Sequence, residues 1–209
     1  MESSSWMGGL LRVCDWISKL AYLNLLWLGF TVVGFGVLGF APATVAMFTI
    51  LRKWIMGESS IAIFPLFLSV YKSEFKKANI LWSCLLVSVL FMYVDLVLIN
   101  SMQGILHYMF LSFFVIAFIL MLIITVYIFP VYVHFEGSIL HYFKSAILLG
   151  ASFPGRTILM MLSIGTGVLI SILFPGVGLL FFGSGISFAL MYFSFSIFMT
   201  KLENTKSFK

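Results

Sequence analysis

Between Lys19 and Arg52 the chain runs for 32 residues, 20–51, without a charged side chain. About 20 apolar residues cross the hydrocarbon core of a bilayer, so this run exceeds one span and falls short of two full ones. It also carries Gly29, Gly34, Gly36 and Gly39, then Ala41-Pro42, and ends on Arg52-Lys53-Trp54. Proline sits comfortably in the first turn of a helix. The pattern predicts a tight hairpin of two somewhat short membrane helices, with the Gly-rich turn just before Pro42 and Asn24 inside its first limb.

Composition places the whole chain in the same class. Of its 209 residues, 62% are hydrophobic and 9% charged, against about 25% charged in soluble domains. That reads as one all-α integral membrane domain over residues 1–209, with little mass outside the bilayer. The net charge of +5 would raise nucleic acid as a partner for a soluble protein. Here the basic residues flank apolar runs, which speaks for membrane orientation and anionic-lipid contact, and for no nucleic acid. Cys14 and Cys84 provide neither a disulfide framework nor metal-ligand spacing. Residues 1–9 lack the basic start of a signal peptide, so the first apolar run is expected to stay in the protein.

Taken in order, residues 5–19 read as a short interfacial helix, followed by spans over 20–38 and from Pro42 to about Trp54. Residues 64–77 set Phe67, Val70 and Tyr71 against Lys72, Glu74, Lys76 and Lys77, as in an amphipathic segment lying on the membrane surface. A third span covers about 78–99 and a fourth about 107–130. A second polar linker, 131–156, then leads to spans over 157–173 and from about 177 to 199. The expected architecture is a polytopic helical bundle of six transmembrane helices in three hairpins, with amphipathic linker helices on the cytoplasmic side. The twelve Lys and Arg residues avoid the loops at 39–41, 100–106 and 174–176. With six spans and both termini inside, every basic residue is cytoplasmic, as the positive-inside rule favours. A five-span alternative makes residues 20–40 one crossing and strands Arg12 and Lys19 outside.

The stretches NLLWLGF, GFAPATVAMFTILRKWIMGE and YKSEFKKANILW, with the later HFEGSILHYFKSAILLGASFPGRTILMML, cover about half the chain. They resemble the YesL-like family of bacterial integral membrane proteins. Members often carry an additional proline where this chain has TVVGFGVLGFAP; Pro42 matches and the earlier proline is absent. The resemblance implies an association with carbohydrate ABC importers of Gram-positive bacteria. Its motifs are punctuation between helices and imply no chemistry.

Candidate sites are few. Gly34, Gly36 and Gly39 spell G-x-G-x-x-G, but no acid follows until Glu58. A dinucleotide site needs a strand before and an acid about 20 residues on, so close helix packing explains the glycines. Asp95 is the acid inside a span, which opens either a relay for protons or cations or an interfacial carboxylate satisfied by Tyr93, Asn100 or His107. His134, Glu136 and His141 are metal-capable but match no ligand motif, and read as polar residues of a linker. Ser184 between two glycines would need a base such as His107 to act as a nucleophile; packing is the better account. Arg52, Lys53, Lys72, Lys76 and Lys77 are candidates for contact with anionic lipid or a partner, or are plain topology signals.

No cofactor is expected, and no nucleophile–base pair that would make the chain an enzyme. Neither a nucleotide-binding P-loop nor an importer permease's EAA-type coupling loop is present. The expected function is that of a non-enzymatic accessory subunit or assembly factor of a membrane transport complex, partnered by integral membrane proteins such as importer permease subunits. The alternative is a small solute transporter or channel in its own right.

Overall fold

A computed structural model of the chain describes residues 3–207, with side chains described from 9 to 199. The side chains of Lys201, Lys206 and Lys209, which the charge reading places in a basic tail, lie outside the described residues, as do those of the first eight. Every regular element among the described residues is a helix: α1 (Ser3–Val33), α2 (Val37–Ile55), α3 (Ile63–Ser101), α4 (Ile105–His134), α5 (Ile139–Ser152), α6 (Pro154–Leu173) and α7 (Pro175–Ser207).

Among the described residues, five helical stretches are long and apolar enough to cross a membrane: Gly9–Val33, Ile63–Ser101, Ile105–His134, Pro154–Leu173 and Pro175–Met199. The remaining long helix, α2, the expected second of six spans, is about 28 Å long at 1.5 Å per residue but does not qualify by apolarity, because Arg52 and Lys53 lie in its last turn. It is the interior helix. Ala41, Ala43, Val45–Phe48, Ile50 and Leu51 are all buried, and small residues on it let neighbouring backbones come close.

Three antiparallel hairpins make up the bundle. In α1/α2, Trp16 meets Trp54, Trp27 Nε1 donates to Thr44 Oγ1 at 3.0 Å, and Gly34 abuts Gly39. In α3/α4, His107 contacts the Ile99 carbonyl near the tip, and Tyr132 reaches Glu74 at the far end. In α6/α7, Gly178 faces Ser171, and Gly167 faces Ile186. Stacking of Phe48 on Phe129 ties α2 to α4.

The first hairpin turns earlier than the sequence predicts. The break lies at residues 34–36, α2 begins at Val37, and Pro42 sits inside α2 rather than in its first turn. The turn needs left-handed backbone, which Gly36 supplies at φ +72° and Phe35, 89% exposed, adopts at φ +59°. Gly34 and Gly39 then allow a contact so close that a Cβ on Gly34 would fall on the Cα of Gly39. Turning at the glycines satisfies both demands at once; Pro42 merely removes one bond near the helix start.

Two surface segments are also corrected. Residues 5–19 form no separate interfacial helix but continue into α1. Residues 64–77 are not a separate surface segment; they belong to the first part of α3, which runs 39 residues unbroken. No Gly or Pro follows Pro65 within α3, and Phe67, Tyr71, Ala78, Leu81 and Leu85 form one continuous buried stripe. That stripe packs onto the bundle, so the helix has no reason to bend away. At about 58 Å, α3 is roughly twice the thickness of the hydrocarbon core.

Candidate functional site

Three arrangements bring polar groups together. The first joins α1 to α7. Asn24 is 1% exposed; its Nδ2 donates to the Leu179 carbonyl at 2.8 Å and its Oδ1 accepts from the Ser184 N–H at 2.9 Å. Those two backbone groups are five residues apart on α7, and the carboxamide bridges them. Gly183 makes the approach possible, because a Cβ there would meet Asn24 Oδ1 and the Trp27 ring at 2.9 and 2.8 Å.

The second is a polar cavity of about 320 Å³ framed by α2, α3, α4 and the start of α5. Tyr132 donates to Glu74 at 2.5 Å. Lys77 donates to the Tyr142 hydroxyl at 2.9 Å and lies over the Tyr132 and Tyr142 rings at 5.3 and 5.2 Å. The Gly137 N–H also donates to Tyr142, at 3.2 Å, which fixes the entry to α5. Arg52 Nε and His134 Nδ1, both buried, face this cavity with no hydrogen-bond partner. His134 stacks on Phe198 at 4.2 Å.

The third is the outer part of the α3/α4 hairpin. Val89, Leu90, Phe91 and Tyr93 on α3, and Tyr108, Phe113 and Ile116 on α4, are all exposed. The buried core ends well short of this tip, at Leu85 on α3 and Val126 on α4, apart from Ile99. A groove of about 310 Å³ runs between the two helices, and Asp95 lines it.

The residues singled out by sequence separate accordingly. Arg52 and Lys77 share the cavity, whereas Lys53 is paired with Glu58 at 2.7 Å, and Lys72 and Lys76 are exposed on α3. His134 and Glu136 line the cavity, while His141 contacts Ser145 on α5 at 3.4 Å; no group of three metal-capable side chains comes together among the described residues. The Ser184 hydroxyl is buried without a partner, so no hydrogen bond joins it to His107, whose Nδ1 lies 2.9 Å from the Ile99 carbonyl. None of the partners proposed for Asp95 bonds to it. Glu74, Tyr132, Tyr142 and the buried pair Tyr127–Thr157, 3.0 Å apart, escaped sequence reasoning. Their partners lie 30 to 65 residues away, beyond any periodicity.

Residues 20–96 match the family described as "Protein of unknown function, DUF624". Over nearly its whole length the chain is also 34% identical to three Bacillus subtilis (strain 168) proteins. The match to "Uncharacterized protein YteU" spans 95% of this chain and 89% of that protein. For "Uncharacterized protein YesL" the shares are 91% and 90%, and for "Uncharacterized protein YesV" 88% and 88%. The chain belongs to the DUF624 family. The YesL-like resemblance is thereby shown. No solved structure matches. The DUF624 match covers the α1/α2 hairpin and α3 as far as Leu96, and so includes Asn24, the Gly34–Gly39 contact, Arg52, Lys77 and Asp95.

Proposed function

We propose that this DUF624 protein is a non-enzymatic accessory subunit or assembly factor of a membrane transport complex, and that the complex is a carbohydrate ABC importer of the cell membrane. The observation that carries the reading is the α3/α4 hairpin, whose outer apolar faces the described residues leave uncovered. Five interior polar residues support it. Asn24, Tyr127, Thr157, Tyr132 and Glu74 are engaged with one another or with backbone. A transporter in its own right wants polar groups free to meet solute near the midplane. The importer assignment rests on the YesL-like resemblance.

In this reading α2 crosses as a sixth span, so both termini and the basic residues face the cytoplasm, where Lys72 and Lys76 meet anionic lipid or an acidic surface of a permease subunit. Purification of the tagged chain from native membranes in mild detergent is expected to recover permease subunits of a carbohydrate importer. Lys72→Glu with Lys76→Glu should weaken that recovery, more strongly at low salt, where charges are less screened. Isolation of the chain alone, combined with solute movement by the purified protein in liposomes, would replace this reading with the transporter.

A further inference from the structure

We infer that the groove between α3 and α4 receives a transmembrane helix of the partner that carries a Lys or Arg, and that this cation pairs with Asp95. The inference rests on the accessory-subunit reading and names its contact surface. Asp95 is exposed within the groove and has no hydrogen-bond or ion-pair partner among the described residues. Around it stand Leu98, Phe110, Phe113, Phe114 and Ala117. Asp95 lies six residues before the end of α3, about 9 Å along the axis, so the carboxylate is set below the hairpin tip in an apolar surround. An ionisable group there is expensive unless it is paired or reaches water.

The described residues supply no such pair. His107 is turned to the Ile99 carbonyl, and Tyr93, two residues from Asp95 on the same helix, does not share its face. The requirement is a long, flexible cation reaching from a neighbouring helix, with its stem along the apolar lining. Phe110, Phe113 and Phe114 add ring faces that attract ammonium and guanidinium groups. A second copy fits poorly, because residues 78–143 contain no Lys or Arg. Residues 20–51 and 157–200 contain none either, so a different protein is the fitting source of the missing charge.

The test uses the purified full chain in phosphatidylcholine vesicles, with a synthetic apolar helix of about 20 residues as the probe. One version carries a single Lys about six residues from its outer end; the other carries Leu there. Association is read by energy transfer between labelled probe and protein. The Lys probe is expected to bind about tenfold more tightly than the Leu probe, the scale of one interhelical polar contact in lipid. That difference should vanish in Asp95→Asn. Ala117→Trp, which fills the groove, should weaken both probes, and unchanged thermal unfolding shows that each variant is folded.

Equal binding of the two probes, or a Lys preference that survives Asp95→Asn, overturns the inference. So does self-association of the chain that Asp95→Asn abolishes, since the occupant would then be a second copy. Failure of the broader reading looks different. If Asp95→Asn recovers importer subunits from native membranes as well as wild type does, the groove assignment is wrong and the accessory role stands. If no transport subunit is recovered with either protein while the Lys probe still binds, the accessory role is wrong and the groove stands.

Discussion

The carboxamide of Asn24 on α1 accepts the backbone N–H of Ser184 on α7 at 2.9 Å, and its amino group donates to the carbonyl five residues earlier, at Leu179. One side chain thus bonds two main-chain groups of another helix and joins the first hairpin to the last.

Asn24→Ala leaves both backbone groups without that partner. A buried unsatisfied group costs about 1–3 kcal/mol, while interhelical bonds in membranes average about 0.6 kcal/mol. The expected loss is about 1–2 kcal/mol in a detergent unfolding titration. Asn24→Asp keeps an acceptor for Ser184 but sets a carboxylate against the Leu179 carbonyl, so it should be at least as harmful. Wild-type stability in both variants would show that the bridge contributes nothing.

The α1/α2 turn predicts opposite outcomes for two glycines on one hairpin. A Cβ on Gly39 would stand 2.5 and 2.7 Å from the carbonyl oxygens of Thr31 and Phe30, which are backbone and cannot yield cheaply. Gly39→Ala should cost about 1–3 kcal/mol, as overpacking does. Gly29 has nothing within 4 Å of the same atom, and helix propensity there favours Ala by up to about 1 kcal/mol. Gly29→Ala should therefore be neutral or stabilising in the same titration.

Tyr142 takes hydrogen bonds from Lys77 and from the Gly137 N–H. Tyr142→Phe keeps the ring and loses both bonds, with an expected cost of about 1–2 kcal/mol at 0.5–1.5 kcal/mol for each. Lys77→Ala removes the cation from two rings as well as one bond. Both variants should loosen α5, read as faster proteolysis between residues 134 and 139. Unchanged cleavage would mean that α5 is held by its apolar face alone.

Orientation is tested at two exposed connections, the α2–α3 loop and the α3–α4 tip. In a background of Cys14→Ser and Cys84→Ser, a cysteine replacing Gln103 should react with an impermeant thiol reagent in intact cells. One replacing Ser59 should react only after the cells are opened. The reverse pattern would invert the topology.

The all-helical membrane architecture was legible in the chain because hydropathy and the placement of Lys and Arg are local quantities. The approximate positions of the α3–α4 and α6–α7 turns followed from the same signals. The first turn was misplaced because Pro42 is the louder local mark, while the Gly34–Gly39 contact depends on two helices meeting. Residues 64–77 showed their amphipathic face, but their continuation into α3 depends on a stripe that gains its value only against the rest of the bundle. Asn24 read as one polar residue in an apolar run, and only its encounter with Leu179 and Ser184, 155 and 160 residues away, turned it into a bridge. Asp95 shows the converse: sequence offered it three nearby partners, and helix geometry withheld all of them. Burial and periodicity are written into neighbouring residues, whereas the pairing of polar groups is decided by which helices pack together, because in lipid a polar side chain must take whatever partner the fold brings within reach.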